Sequence, residues 1–205
     1  MIGTGSIGEP LIGLLTDYKS HLGIDEVTFH KNTPLLGDRS KVFDLQRRGA
    51  RLTVNAGRSK DFKDLGMDPD FITVEAIKRA SVIIDCTPKG IGHKNKKQYY
   101  KKFAGDVKGF LAQGSENGFG KKYVHNINDK TLREGDQFIQ IVSCNTHNLS
   151  CITNTLAVNN DPDNLKEGIF VCIRRATDIS QASGFIPAPQ VGRHGDLIYG
   201  SHHAA

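Results

Sequence analysis

The run Val82-Ile83-Ile84-Asp85-Cys86, closed by Thr87-Pro88, narrows the possible folds more than any other part of the chain. It is almost continuously apolar and β-branched, with none of the polar alternation of a strand that has one wet face. Such a strand is covered on both sides, the usual state of parallel strands in α/β proteins. Shorter runs of the same kind, Val27-Thr28-Phe29, Leu52-Thr53-Val54, Gly109-Phe110-Leu111-Ala112, Phe138 to Val142 and Ile169 to Ile173, alternate with helical patterns. Those patterns begin at Pro10, at Asp38 or Ser40 as a cap for Val42, Phe43 and Leu45, at Thr73 as a cap for Val74 to Arg79, in the lysine-rich stretch after Gly92, and at Thr146. Strand, helix, strand, helix predicts a doubly wound parallel sheet.

Bulk properties remove several classes of function. With 205 residues, 38% of them hydrophobic, the chain has enough apolar side chains for a sizeable core, and no run approaches the ~20 apolar residues of a membrane span. Its four cysteines, Cys86, Cys144, Cys151 and Cys172, show no Cys-x-x-Cys spacing, which fits a reducing, cytoplasmic setting and gives no metal site. The pair His202-His203 lacks a thiol or carboxylate at ligand spacing. A net charge of +5 points to an anionic partner. The basic segment from His93 to Lys102 mixes cations with tyrosines, as RNA-binding surfaces do, but no RNA-binding signature accompanies it and it reads better as a solvated helix face.

Gly3-Thr4-Gly5-Ser6-Ile7-Gly8 matches G-x-G-x-x-G and leads into a helix, the arrangement that places a pyrophosphate on a helix N-terminus. Only Met1 and Ile2 precede it, so the strand that should come first is expected to be missing. After the second strand, where an acid would select a ribose 2′-hydroxyl, the chain has His30-Lys31-Asn32. Lys31 is either a 2′-phosphate ligand or a solvated loop lysine, and NADP is at least as good an expectation as NAD. The loops Thr87 to Gly92 and Gln113 to Glu116 follow parallel strands, where open sheets bind ligands. Gly118-Phe119-Gly120-Lys121 fails as a P-loop, because Ser115 replaces the first glycine and Lys122 the required hydroxyl.

Ser143-Cys144-Asn145-Thr146 follows the apolar run ending at Val142, which puts a thiol where a strand hands over to a helix. A helix N-terminus favours the thiolate, so Cys144 is a candidate nucleophile; the alternative is a small buried hydrophobe. Arg174-Arg175 and Arg193-His194-Gly195 supply groups suited to phosphate.

Together these segments resemble the archaeal-type phosphorylating glyceraldehyde-3-phosphate dehydrogenases. The likeness is carried by the glycine turn, Asp85-Cys86-Thr87-Pro88-Lys89-Gly90-Ile91-Gly92, Gln113-Gly114, Val142 to Thr146, Arg174-Arg175 and His194-Gly195, all in family order. It implies a Rossmann-like dinucleotide-binding domain over residues 1–140 and the beginning of an α+β catalytic domain over 141–205. It further implies that Cys144 is the nucleophile, that Ser143 and Asn145 line the substrate site, and that Arg193 and His194 lie at the sugar-phosphate end. Gly3, Gly5, Ser6, Ile7, Gly8, Gly114 and Arg175 would meet NADP or NAD, with Lys31 at the 2′-phosphate. The implied reaction is oxidative phosphorylation of glyceraldehyde 3-phosphate to 1,3-bisphosphoglycerate, in a cytoplasmic homotetramer of glycolysis or gluconeogenesis. Rival expectations are a related semialdehyde or acyl-phosphate reductase and a non-catalytic nucleotide- or RNA-binding protein. Two departures stand out. The family's Thr-Thr-Gly-Leu-Cys-Arg is here Thr146-His147-Asn148-Leu149-Ser150-Cys151, and its His-x-His-Asn segment is not in this sequence. The chain is therefore expected to be a shortened version of such an enzyme, without the family's catalytic histidine.

Overall fold

The computed structural model describes residues 1–170. They divide into two compact units, the first made of Met1–Lys121 and Glu134–Gln140, the second of Lys122–Arg133 with the chain from Ile141 onward.

In the first unit, helix α1 (Gly8–Asp17) is followed by strand β1 (Thr28–His30), a 3-10 turn (Leu36–Asp38), α2 (Arg39–Arg47), β2 (Arg51–Val54), α3 (Ser59–Asp64), β3 (Phe71–Ile72), α4 (Thr73–Arg79), β4 (Val82–Asp85), α5 (Ile91–Gln98) and β5 (Gly109–Ala112). Strands β6 (Lys121–Tyr123) and β7 (Phe138–Ile141) each cross from one unit into the other, and α6 (Cys144–Thr153) with a π-helical turn (Asn154–Val158) belongs to the second. The neighbours run β1-β2-β3 in one set and β4-β5-β7-β6 in the other. Registers are parallel from Thr28 opposite Arg51, Thr53 opposite Phe71, Val82 opposite Gly109, and Phe110 opposite Phe138.

Two residues join these sets. Ile2 forms parallel bridges to His30 on one side and Asp85 on the other. Its N–H donates to the Ile84 carbonyl and its carbonyl accepts from Cys86 N, both at 2.8 Å, while the Met1 carbonyl accepts from His30 N at 2.8 Å. The place of the strand expected to be missing is thus held by Met1 and Ile2. The chain leaves this central position first toward β1 and later, on the other side, toward β4, which makes it a topological switch point. The α/β architecture and the Rossmann-like parallel sheet expected from the sequence are both present.

The reason these segments become strands lies in their burial. Leu52, Thr53 and Val54 are all buried, so β2 is covered on both faces as a parallel strand must be. Ile12 of α1, Val42 and Leu45 of α2 and Phe62 of α3 join Phe29, Leu52 and Val54 in one apolar cluster. Ile77, Ile83, Tyr100, Phe110 and Phe119 form a second. There the Phe110 and Phe138 rings stack at 4.8 Å and 9°, and Tyr100 also stacks with Phe110, at 5.2 Å. Each fully buried phenyl ring contributes about 1.5–3 kcal/mol.

Some local expectations differ from the structure. Val82 is about half exposed, so β4 is covered on both faces only beyond its first residue. Asp38 precedes α2 but makes no capping bond, because its carboxylate is taken by lysine side chains. Thr73 is the first residue of α4 rather than its cap, its hydroxyl oxygen is buried without a partner, and the Glu75 carboxylate accepts the Ile72 N–H at 3.3 Å instead. The helix expected from Thr146 starts earlier, at Cys144. Of the strand expected at Ile169 to Ile173, Ile169 and Phe170 are not in a strand and the remainder lies outside the described residues.

Candidate functional site

A cleft of about 620 Å³ opens in the first unit at the C-terminal ends of the central strands. Gly3 and Thr4 line it from the glycine turn, His30 to Thr33 from the end of β1, Asn55 from the end of β2, Thr73, Val74 and Ile77 from α4, and Thr87, Pro88 and Ile91 from the loop after β4. Open parallel sheets bind ligands at this position, and the glycine turn, the segment after β1 and the loop after β4 meet there, whereas Gln113 to Glu116 does not line it.

The three glycines of the turn differ in what demands them. Gly3 has φ +95°, and a Cβ on it would lie 3.0 Å from the Cys86 carbonyl group. A Cβ on Gly8 would overlap the Gly3 carbonyl, so this glycine lets α1 pack against the start of the chain. Gly5 has neither reason: its φ is ordinary, and a Cβ there would meet no protein atom within 4 Å. Its bare backbone faces open space at the exposed end of α1, beside Ser6 and Ile7, and no side chain caps that helix. This is the geometry that suits a pyrophosphate approaching backbone amides. The turn therefore fits a dinucleotide.

Loop positions around the cleft are set by two buried carboxylates. Asp85, fully buried at the end of β4, accepts from Thr87 N at 2.9 Å, from the Thr87 hydroxyl, from Asn95 Nδ2 at 2.9 Å and from the Tyr100 hydroxyl at 2.6 Å. Burial, then the adjacent Asp85 charge, pushes the Tyr100 hydroxyl far above the usual range, so it stays a donor. Glu116, also fully buried, accepts the N–H groups of Gly90 and of His93, the latter at 2.9 Å. Gln113 Nε2 reaches the Thr87 carbonyl at 2.9 Å. The loop from Thr87 to Gly92 is in this way clamped by residues that follow β5.

The end of the cleft beside β1 carries one cation, Lys31, among its described lining residues. Lys31 is buried, and its ammonium lies 2.5 Å from the Asp38 carboxylate, which also sees Lys41 at 3.8 Å. Lys41 in turn pairs with Glu9 in the first turn of α1 at 2.8 Å. Next to Lys31, His30 has its Nε2 buried without a partner. Burial chiefly, reinforced by the nearby amino group of Met1, lowers His30 to about 4, so the imidazole is neutral near pH 7. Lys31 is thus neither a solvated loop lysine nor an unpaired cation.

In the second unit, Ser143 caps α6: its hydroxyl oxygen accepts from Thr146 N at 3.3 Å and lies 2.9 Å from the Thr146 hydroxyl. Cys144 is the first residue of that helix and is exposed, with its sulfur 3.9 Å from Asn145 Oδ1. The expectation of a small buried hydrophobe does not hold there. Cys86 is the contrast, since burial and then the Asp85 charge push its thiol up to about 11.

The structure therefore places Gly3 and Lys31 on one cleft, with Gly5, Ser6, Ile7 and Gly8 continuing the glycine turn into α1, and puts Ser143, Cys144 and Asn145 onto one helix end. Gly114 does not line the cleft; its carbonyl accepts from Gln140 Nε2 at 3.3 Å near the end of β5. Arg175, Arg193 and His194 lie outside the described residues. Sequence reasoning missed Asn55, read Asp38 only as a helix cap rather than as the partner of Lys31, and placed Glu116 in the loop after β5 without its clamp on Gly90 and His93. For Glu116 the only signal is a glutamate two residues after Gly114, which is too common a pattern to single out.

No family model matches the chain. It is similar to the glyceraldehyde-3-phosphate dehydrogenases of three archaea. It is 30% identical to that of Methanobacterium bryantii over 77% of this chain and 47% of the relative. It is 32% identical to that of Thermoplasma volcanium over 71% and 40%, and 28% identical to that of Pyrobaculum arsenaticum over 64% and 37%. The chain spans less than half the length of these curated relatives. No helix among the described residues is long and apolar enough to cross a membrane. By sequence this chain is a relative of the archaeal-type glyceraldehyde-3-phosphate dehydrogenases.

Proposed function

We propose that this chain is the dinucleotide-binding domain, residues 1–140, and the beginning of the catalytic domain, residues 141–205, of an enzyme that oxidises glyceraldehyde 3-phosphate with NADP or NAD and inorganic phosphate. The observation that carries this reading is Cys144 held exposed at the first position of α6 by the Ser143 cap. The glycine turn, with Gly5 free of any packing reason to be glycine, supports a dinucleotide as the second reactant.

Gly3, Gly5, Ser6, Ile7 and Gly8 would hold the pyrophosphate, and the family resemblance adds Gly114 and Arg175 as further cofactor contacts. A nicotinamide ring supplies a hydride acceptor. The Cys144 thiolate attacks the aldehyde carbon to form a hemithioacetal; loss of hydride from that carbon, with the hydroxyl proton passing to solvent water, leaves a thioester on the same sulfur. Phosphate then attacks the thioester carbon, the carbon–sulfur bond breaks, and 1,3-bisphosphoglycerate leaves as the thiolate is restored. Amides of the first turn of α6 suit the oxyanion that develops in both tetrahedral species. Ser143 and Asn145 would orient the substrate, with Arg193 and His194 at its phosphate. By the same resemblance the full-length enzyme would act as a cytoplasmic homotetramer.

The test is aldehyde-dependent formation of reduced nicotinamide with and without inorganic phosphate, for the wild type and Cys144→Ser. Activity that requires both phosphate and Cys144 supports the proposal. Turnover of other aldehydes without phosphate, or dinucleotide affinity lost along with Cys144, argues against it.

A further inference from the structure

We propose that Asp38 decides which dinucleotide the cleft accepts: by pairing with Lys31 it withholds the cation of the ribose end from a 2′-phosphate, so the chain favours a free 2′-hydroxyl. This rests on the dinucleotide reading of the cleft given above.

Among the described residues lining the cleft, Lys31 carries the only formal positive charge, since His30 is neutral. Lys31 is 8% exposed and its ammonium is 2.5 Å from Asp38 Oδ2. An ammonium pressed this close to a carboxylate is partly neutralised, and a phosphate dianion arriving at it meets the carboxylate as well. The pair is part of a chain of alternating charge, Lys31, Asp38, Lys41 and Glu9, which sums to zero and runs from the cleft to the first turn of α1. Within this set of four groups each lysine is paired with a carboxylate, so the set adds no surplus positive charge for a 2′-phosphate.

The position of Asp38 is built for this task. It ends the 3-10 turn Leu36–Asp38 directly before α2, where an aspartate ordinarily caps the helix, yet it makes no capping bond and spends both oxygens on lysines. The acid that the sequence lacks immediately after β1 is thus supplied from the far side of the following loop. What remains for the ribose is neutral and polar: His30 with its orphaned Nε2, and Asn32, whose Oδ1 accepts from Asn55 Nδ2 at 3.3 Å. Neutral donors and acceptors of this kind match hydroxyl groups.

Equilibrium binding of NAD and of NADP to the wild type, Asp38→Asn, Asp38→Ser and the double variant Asp38→Asn/Lys31→Ala tests the proposal. The wild type should bind NAD more tightly. Each Asp38 variant should tighten NADP about tenfold, the effect of one new charge-assisted hydrogen bond from Lys31 to the 2′-phosphate, with NAD changed by less than about twofold. The double variant should lose that improvement. Equal changes for both dinucleotides, or a wild type that already prefers NADP, would overturn the role of Asp38 while leaving the dinucleotide cleft intact. Failure of the folded wild type to bind either dinucleotide would instead overturn the reading of the cleft, and this inference with it.

Discussion

The Glu116 carboxylate accepts the backbone N–H of His93 at 2.9 Å, reaching from the segment after β5 to the first turn of α5, 23 residues earlier. The same side chain takes the N–H of Gly90 and is fully buried. It therefore supplies both the cap and the negative charge that a helix N-terminus favours, and it does so from another part of the fold.

Glu116→Ala should destabilise the protein by about 2–3 kcal/mol, because two amides lose a charged acceptor. Gly92→Ala should also destabilise, since its Cβ would sit 2.9 Å from Glu116 Cγ. In the Glu116→Ala background that clash disappears, so the two costs should be strongly non-additive in urea denaturation. Simple additivity would mean that Gly92 is glycine for another reason.

The glycine turn offers a cleaner division between folding and binding. Gly8→Ala forces a methyl group into the Gly3 carbonyl and should lower the melting temperature. Gly5→Ala adds a methyl group where no protein atom stands, so thermal stability should match the wild type. Dinucleotide affinity should nonetheless fall at least about tenfold, because the methyl group occupies the pyrophosphate's approach. Unchanged affinity in Gly5→Ala would remove the main structural support for cofactor binding.

Thiol chemistry separates the cysteines. Cys144 is exposed, whereas Cys86 is half-buried with its thiol pushed up to about 11. Iodoacetamide near neutral pH should label Cys144 first, and Cys144→Ser should remove the fast phase seen by peptide mass spectrometry. Preferential labelling of Cys86 would contradict the assignment of Cys144 as nucleophile.

His30 predicts an acid limb in stability. Its value falls from 6.5 to about 4 on folding, so the unfolded chain binds more protons between those limits. Its contribution is complete above pH 6.5 and drains away as pH falls toward about 4, on the order of 3 kcal/mol in all. His30→Asn should flatten that part of a denaturation profile. A profile that keeps the same slope would place the acid sensitivity elsewhere.

Much of the fold was readable in the chain because parallel strands advertise themselves. Val82 to Asp85, Leu52 to Val54 and Gly109 to Ala112 are apolar runs of the right length, each bounded by turn residues, and each is a strand. Helix starts were less legible. Thr73 and Asp38 have the chemistry of caps, but the hydroxyl of one is buried without a partner and the carboxylate of the other is drawn to lysines. Strand β3, two residues long, has no periodicity to detect, and its pairing with β2 alone makes it a strand.

Local pattern determined the α/β plan, the glycine turn and the strand-to-helix handover around Cys144, since each depends on residues adjacent in sequence, whereas the structure decided that this thiol is exposed and heads α6. Tertiary structure alone decided what surrounds them: Met1 and Ile2 joining the two strand sets, Glu116 holding α5, and Asp38 taking the charge of Lys31. The physical reason is that hydrogen bonds and ion pairs depend on distance in space. No spacing along the chain records which carboxylate will arrive beside a given cation once the sheet has closed.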